Sequence, residues 1–255
     1  MGTSPDMPSI EAHVDALNAC NQRGGRMLSL IDLLKDESVS LPMAGYLAAA
    51  MRGGASLLVG ANPGGAGKTT VMCALLNFLP DDVALQAVET SEVLSRATQE
   101  APGAVCYVAH EISPATYYYA YIWGRDAKRF LRLAADGHII AANLHADTLD
   151  ETRVQLCDQN GVDPAHLAAV TLKVYLGTAG HRFSMQRWID RVYENDGETD
   201  QLLWEAQQPG DFVQHADSAY VSPEAVMRYR DFLADLQQRR VRRIAEVRRA
   251  LVGER

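Results

Sequence analysis

The chain has 255 residues, 47% of them hydrophobic, and a formal net charge of −8 at pH 7. A chain of this length and composition can bury the core of one large domain with short appendages. Its acidic balance argues against a protein that coats nucleic acid, which needs a positive surface. No segment predicts a membrane span, because Arg52 and several glycines interrupt the most apolar stretch, residues 41–59.

The cysteines and the N-terminus bear on the cellular compartment. The four cysteines lack the paired spacing of metal sites, and three of them lie in apolar segments. They predict core or free thiols in a reducing compartment rather than a disulfide framework. The first nine residues contain neither a basic nor an apolar stretch, so we expect no export signal and a soluble intracellular protein.

The first predicted elements are helices. After a loose start, a short helix is expected over Ile10–Cys20, followed by a break at Gly24–Gly25. Further helices are expected over Leu28–Leu34 and Pro42–Met51, the second with proline in its first turn, where the missing N–H is not needed. We assign residues 1–26 to an N-terminal helix or loose segment.

Short apolar runs of strand character follow, with helix-like stretches between most of them. They cover Ser56–Val59, Val83–Val88, Val105–Ala109 and His138–Leu144. This alternation predicts an α/β fold with a mostly parallel sheet and helices on both faces. A β-meander is expected next, with strands at Val170–Leu176, Arg187–Tyr193 and Leu202–Ala206 and turns at Gly177–Gly180 and Asn195–Gly197. One α/β domain is therefore predicted over residues 27–215.

The segment that joins the first predicted strand to the next helix reads Gly-Ala-Asn-Pro-Gly-Gly-Ala-Gly-Lys-Thr-Thr, residues 60–70. Its spacing is typical of a phosphate-binding loop. The glycines let the backbone approach a polyphosphate, and successive N–H groups with the helix N-terminus supply a positive field. We expect a nucleotide to be bound by Asn62, Gly64, Gly65, Ala66, Gly67, Lys68, Thr69 and Thr70.

Two side chains of the loop have specific expected roles. Lys68 would reach the β- and γ-phosphates, and the Thr69 hydroxyl would ligate Mg²⁺, so the predicted ligands are ATP or another purine triphosphate with Mg²⁺. Asn62 stands where the usual pattern begins with glycine, and Pro63 restricts it to extended geometry. The start of the loop is therefore expected to differ. The alternative, a glycine-rich turn with a surface lysine, is disfavoured by the flanking strand and helix.

Two glutamates and a histidine follow three of the predicted strands. Glu89 ends the second strand, Glu111 the third and His145 the fourth. Because ligands bind at the carboxyl ends of strands in an open α/β sheet, we expect all three to face the loop. One carboxylate can hold the Mg²⁺ shell, another can orient the attacking water, and the imidazole can sense a γ-phosphate. Alternatively, each glutamate caps the helix that follows it, and the histidine is a hydrogen-bonded turn residue.

The ordered set of motifs resembles the secretion ATPase superfamily, which includes type II and type IV secretion ATPases, pilus motors and the archaellum motor. The likeness spans roughly residues 28–213. Its features are the loop Gly67-Lys68-Thr69-Thr70, a leucine-rich helix that ends at Pro80, the acidic box Val88-Glu89, the acid strand His110-Glu111-Ile112, the histidine box from Gly137-His138 to Leu144-His145, and the later strand Arg187–Glu194.

This resemblance implies a RecA-like P-loop NTPase fold and Mg²⁺-dependent ATP hydrolysis. It implies that Lys68 and Thr69 bind nucleotide and metal, that Glu111 is the Mg²⁺-side acid, that Glu89 activates water and that His145 is a sensor. It also implies a homo-oligomer, specifically a hexamer, with a membrane-platform protein as partner, in the cytoplasm and peripheral at the inner face of the membrane. The run Val83–Val88 intervenes between the loop strand and the acid strand, an order that fits the RecA-like branch, where those two strands are not neighbours.

The chain also departs from the family. We expect no separate N-terminal domain of the kind that closes over the nucleotide in that family, and the short interval between Glu89 and Glu111 has one arginine, Arg96. Thr90 and His110 replace the aspartate and the glycine usual at those positions. Since an arginine finger can raise the rate by several orders of magnitude, the alternative is a nucleotide-binding switch with slow or no hydrolysis.

An aromatic cluster lies between the acid strand and the histidine strand. Residues 114–123 include four tyrosines and a tryptophan. We interpret this segment as a long helix packed against the sheet. The alternatives are a surface that stacks a base and a contact between subunits.

The C-terminal segment, residues 216–255, is predicted to be an arginine-rich helix. From Glu224 to Arg255 it holds nine arginines against five acidic residues, so it is locally positive in an acidic chain. A single helix here would reach about 40 Å. It can pack on its own core, contact the acidic body of a neighbouring subunit, or bind an anionic membrane or nucleic acid. The last option leaves an ATPase that acts on nucleic acid as a third function.

Overall fold

The structure, a computed structural model, describes residues 8–21, 24–180 and 185–253. The loose start expected before residue 8 and the last two residues of the arginine-rich segment lie outside these ranges. The helices are α1 Ile10–Ala19, α2 Leu30–Lys35, α3 Leu41–Arg52, α4 Lys68–Leu76, α5 Ser91–Ala97, α6 Arg125–Ala135, α7 Leu149–Arg153, α8 Pro164–Ala168, α9 Pro223–Gln238 and α10 Ile244–Gly253, with a π-helical turn at Val154–Gln159. Within those ranges, no helix has both the length and the apolar character needed to cross a membrane.

The strands belong to one mixed sheet. They are β1 Leu57–Gly60, β2 Ala84–Ala87, β3 Val105–Ile112, β4 Tyr121–Ile122, β5 Ile139–Leu144, β6 Leu172–Ala179, β7 Gln186–Asn195, β8 Asp200–Gln208 and β9 Asp211–Gln214. Their order is β2-β3-β5-β1-β6-β7-β8-β9, with β4 beside β3. Pairing is parallel from β2 to β6 and antiparallel from β6 to β9. The mostly parallel sheet followed by a meander is confirmed, and β9 is an additional short strand that the sequence did not predict.

The loop strand β1 and the acid strand β3 are separated by one strand, as the RecA-like order requires. The strand between them in space is β5, which ends at the histidine box, and not the Val83–Val88 run that lies between them along the chain. The middle of that run forms β2 at the edge of the sheet, where the four strand residues Ala84–Ala87 are only partly buried. The chain therefore passes from β1 to the far edge before it returns to the centre.

Helices cover both faces of the sheet, as the sequence predicted. In β1, Leu57 and Val59 pack in a core with residues of α1, α2, α3, α4, α9 and α10. Leu58, between them, packs with residues of α5, α6 and α8 on the other face. Because successive side chains of a strand point to opposite faces, the continuous apolar run of β1 fills both cores.

The aromatic segment is not a helix, so that interpretation was wrong. Residues 114–120 form turns and bends, and Tyr121–Ile122 form β4, which pairs with the end of β3. The exposed fractions of Tyr117, Tyr118 and Tyr119 are 81%, 51% and 46%. Aromatic residues favour strands, and Pro114 with Gly124 bounds a segment too short for a long helix.

The arginine-rich tail also differs from the single long helix expected. It forms α9 and α10, and the break between them is a Schellman turn in which Arg240 has φ 57° and Val241 N donates to Leu236 O. The apolar side chains of both helices are buried in the core that contains α1 and α3; these are Phe232, Leu233, Leu236, Ile244, Val247 and Leu251. The tail therefore packs on its own core, one of the alternatives left open.

Candidate active site

The phosphate-binding loop connects the end of β1 to the start of α4. Gly67 is the N-cap of α4 with φ +99°, a conformation that L side chains rarely adopt, and it provides no side-chain cap. The first N–H groups of α4 therefore face the loop without a side-chain acceptor, which is the arrangement of an anion site. At the other end of the loop, a Cβ on Gly60 would lie 2.4 Å from Ala146 O, so this glycine allows β1 to approach the histidine segment.

Lys68, Glu111 and His145 come together beside the loop. Lys68 Nζ lies 2.7 Å from Glu111 Oε1, 2.9 Å from Ala61 O and 3.5 Å from His145 Nδ1. His145 Nε2 is 3.0 Å from the same glutamate oxygen. The side chains of Lys68 and Glu111 are only 10% and 12% exposed. Because β5 lies between β1 and β3, their carboxyl ends bring these three groups into one cluster.

Two polar side chains that the sequence did not single out hold this cluster in position. The Tyr121 hydroxyl, from β4, donates to Glu111 Oε2 at 3.0 Å. The Asn143 amide, in β5, donates to His110 O at 2.7 Å and lies 3.4 Å from Thr69 Oγ1. Asn143 therefore links the acid strand to the expected metal-binding hydroxyl. Its position two residues before His145 was a signal that could have identified it.

The start of the loop is attached to the segment that follows the histidine. Asn62 N donates to Asp147 Oδ1 at 2.7 Å, and Asn62 Nδ2 donates to Asp147 Oδ2 at 2.9 Å and to Glu151 Oε2 at 2.7 Å. Glu151 Oε2 also accepts from Asp147 N at 2.8 Å. Glycine, the usual residue at position 62, can make neither side-chain bond, so the start of this loop differs as expected.

A cavity of about 800 Å³ opens over the loop. Among the predicted site residues, its described lining includes the loop from Gly64 to Thr70, together with Glu111 and His145. Arg187 of β7 also lines it, and its Nε donates to Gly65 O at 2.8 Å. Arg187 belongs to the later strand that resembles the secretion ATPases, but its position in the sequence predicts no role, because local pattern does not show which strand passes over the loop.

Glu89 lies apart from this cluster. It follows the edge strand β2, its side chain is exposed, and the described lining of the cavity does not include it. Its carboxylate accepts a hydrogen bond from the Tyr119 hydroxyl. Burial and this carboxylate together raise the pKa of Tyr119 to about 12. Its expected role in water activation is not accounted for by this position and stays a prediction.

The strand order and the loop define a RecA-like P-loop fold. Among solved structures, the chain is similar to the VirB11 ATPase from the Brucella suis type IV secretion system, with 18% identity and a TM-score of 0.43 over 76% of this chain and 64% of that one. It is also similar to the Legionella pneumophila ATPase DotB, with 10% identity and a TM-score of 0.37 over 98% and 68%. No protein-family model and no curated protein matches the chain.

The Brucella protein belongs to a type IV secretion system. The chain spans 64% of the length of that protein.

Proposed function

We propose that the chain binds and hydrolyses ATP with Mg²⁺, in the manner of the secretion and pilus motors that it resembles. The observation that carries this proposal is the convergence of Lys68, Glu111 and His145 beside a glycine-rich loop at the N-terminus of α4. Such a convergence joins a phosphate-binding cradle to an acid that can hold the metal side of the site and an imidazole that can contact a terminal phosphate.

Lys68 has an exchangeable partner. Its ammonium group is neutralised by Glu111 at 2.7 Å in a poorly exposed place. A polyphosphate carries more negative charge than one carboxylate and accepts stronger hydrogen bonds, so it competes for Lys68. When Lys68 turns to phosphate, Glu111 is released for the metal side of the site. The imidazole of His145, which contacts both Lys68 and Glu111, would then lie between the bound phosphate and Glu111.

Thr69 and Glu111 are the residues that would hold Mg²⁺. Both line the cavity, and Asn143 lies within 3.4 Å of the Thr69 hydroxyl. Within the described ranges no group of three or more His, Cys, Asp or Glu side chains could hold a metal by itself. Such a site fits Mg²⁺, which is usually bound by one or two protein groups together with phosphate oxygens and water. Bound there, the ion would neutralise charge that develops on the phosphates.

Two rival functions are favoured by specific observations. A nucleotide-binding switch with slow or no hydrolysis is favoured by the exposed position of Glu89, outside the described lining of the cavity. An ATPase that acts on nucleic acid is favoured by the exposed arginines around the break between α9 and α10, which are Arg239, Arg240 and Arg243.

The finer proposals concern assembly and location. We propose a homo-oligomer, a hexamer by the family resemblance, that acts in the cytoplasm on a membrane-platform protein at the inner face of the membrane. The exposed arginines of the tail supply a positive surface for the acidic body of a neighbouring subunit. Because α9 and α10 contribute buried side chains to the core, removal of the tail would unfold the protein. Charge reversal at Arg239, Arg240 and Arg243, followed by a size measurement, tests this contact.

The decisive experiment measures ATP binding and steady-state phosphate release by the full chain, alone and with anionic vesicles or DNA. Lys68→Ala should weaken ATP binding by about 100-fold or more, because it removes the charged group that pairs with phosphate. Lys128→Ala is the matched control, since Lys128 is exposed on α6. Unchanged ATP affinity in Lys68→Ala would overturn the proposal. Binding without turnover under every condition would establish the switch, and turnover that depends on DNA would establish the nucleic-acid function.

A further inference from the structure

Arg187 lies directly against the phosphate-binding loop although it comes from the meander. Its Nε donates to Gly65 O at 2.8 Å, and its Nη1 donates to Met185 O at 3.2 Å. A Cβ built on Gly67 would lie 3.4 Å from Arg187 Cδ, so the aliphatic part of the side chain passes over the last glycine of the loop. The guanidinium group is therefore held at the cradle where a polyphosphate would bind.

Two other cationic side chains in the described lining of the cavity, Lys68 and Arg26, are already paired with carboxylates. Lys68 contacts Glu111 at 2.7 Å, and Arg26 makes a two-pronged pair with Asp32 at 2.8 Å for each bond. In the described ranges, no carboxylate lies within 4.0 Å of the Arg187 guanidinium, whose protein acceptors are backbone carbonyls. Arg187 is also exposed, so its charge has not lost its hydration.

A backbone carbonyl is a weak partner for a guanidinium group compared with phosphate. Gly65 O is an acceptor with only a partial charge, whereas phosphate oxygens carry formal negative charge, and two of them can accept from the planar guanidinium fork at once. The terminal phosphoryl group carries the largest negative charge of a nucleoside triphosphate, so the gain from exchange of Gly65 O for phosphate is greatest there.

We propose that Arg187 is a phosphate-binding residue, supplied by the same chain, that leaves Gly65 O to bind the terminal phosphoryl group of a nucleoside triphosphate. This inference rests on the proposed nucleotide function and adds a residue to that site. Arg187 provides a cationic side chain at the cavity. The interval between Glu89 and Glu111 contains one arginine, Arg96, and the described lining of the cavity does not include it. The site thereby distinguishes triphosphate from diphosphate without an arginine from another subunit.

The test compares the affinities of Arg187→Ala for ATP and for ADP with those of the unaltered full chain. ATP affinity should fall about 10- to 100-fold, the usual range for loss of a charged hydrogen-bond partner. ADP affinity should change less than about threefold, because ADP lacks the terminal group. Arg187→Lys should be intermediate, since it keeps the charge and loses the planar fork. Low concentrations of guanidinium ion should partly restore ATP affinity in Arg187→Ala.

Arg191→Ala is the matched control, because Arg191 lies on the same strand and pairs with Glu205 at 3.0 Å. Its affinities for both nucleotides should stay unchanged. Equal losses of ATP and ADP affinity in Arg187→Ala would assign the residue to loop structure and overturn the inference, as would unchanged affinity for both. If Arg187→Ala does not fold, Arg187→Gln takes its place in the comparison of ATP with ADP affinity, with the same selective loss of ATP affinity expected. Absence of Lys68-dependent ATP binding in the unaltered chain would overturn the proposed function and this inference together.

Discussion

The two ends of helix α4 use positive charge in opposite ways. At its N-terminus, the cap is a glycine without a side-chain acceptor, and Lys68 has a partner that a polyphosphate can replace. At its C-terminus, Arg248 donates to the carbonyls of Asn77 at 3.0 Å, Leu79 at 2.5 Å and Pro80 at 3.2 Å. Arg248 is 2% exposed.

The comparison distinguishes Lys68, which we propose binds a ligand, from Arg248, which stabilises the fold. Carbonyls at the end of a helix need donors. The buried Arg248 guanidinium satisfies Asn77 O at the C-cap of α4 and the carbonyls of Leu79 and Pro80 just after it, and its charge complements the negative end of the helix. Burial lowers the pKa of Arg248 to about 10, against the opposing effect of Asp81, so the group stays charged at neutral pH. The role of Arg248 is therefore structural, whereas the N-terminal end of the same helix is where we propose that phosphate binds.

The largest expected effect comes from the loss of the Arg248 contacts at the C-terminal end of α4. Arg248→Met should lower the free energy of unfolding by about 3–5 kcal/mol, because several buried acceptors lose their donor and Asp81 loses a nearby positive charge. Chemical denaturation measures this loss. Nucleotide affinity of the folded fraction should change little, since Arg248 is at the opposite end of α4.

Arg249→Met is the control for that experiment. Arg249 is exposed and lies 3.8 Å from Glu11 at the surface, so its loss should change stability by about 0.5 kcal/mol or less. Equal destabilisation by the two substitutions would contradict a structural role specific to Arg248.

The next largest effect concerns the two glutamates that were expected to act in hydrolysis, Glu111 and Glu89. Glu111→Gln should lower the rate of phosphate release by about 100-fold with ATP binding retained, because the contact of Glu111 with Lys68 and His145 places it at the reacting end. Glu89→Gln should have a smaller effect, since Glu89 is exposed and bonded to Tyr119. Steady-state turnover of both variants decides the order. A larger loss in Glu89→Gln would mean that Glu89 enters the site during turnover.

A pH dependence of stability is expected from His13, which packs in α1 near Arg248. Burial, and then the charge of Arg248, lower the pKa of His13 to about 3 from its usual 6.5. Between these two values the unfolded chain binds the extra proton, so stability is lost as pH falls below about 6.5. The loss from His13 between pH 7 and pH 5 should be about 2 kcal/mol. The denaturation midpoint of His13→Gln should depend less on pH over this range. The substitution His215→Gln, at an exposed histidine, should keep the pH dependence of the unaltered chain.

The smallest expected effect concerns Asn62, at the start of the phosphate-binding loop. Asn62→Gly removes exposed hydrogen bonds to Asp147 and Glu151 and should cost about 1 kcal/mol or less of stability. Asn62→Asp should cost more at neutral pH, because a third carboxylate would face two others. Thermal unfolding of the pair measures the difference. If Asn62→Asp were the more stable variant, the contacts of Asn62 with these two acids would not govern the start of the loop.

Several features of the fold and of the site could be read from local pattern. Alternation of apolar strands with helices predicts which segments enter a parallel sheet. Because the carboxyl ends of such strands meet at one edge, the positions of Glu111 and His145 after their strands were enough to predict that both face the loop that carries Lys68. The same rule did not distinguish Glu89, because a strand end at the edge of the sheet obeys it as well as a strand end at the centre.

Contacts between distant segments could not be predicted from local pattern, because they depend on the tertiary structure. Arg187 meets Gly65 across 122 positions, and Arg248 meets Asn77 across 171. The first contact depends on the antiparallel register of β6 and β7, which pairs Thr178 with Arg187 and shifts at a bulge after Tyr175. Local sequence specifies the conformation of the backbone and which face is apolar. The assignment of one arginine to an open cradle and another to a helix end depends on how strands and helices pack, because each partner lies in another part of the chain.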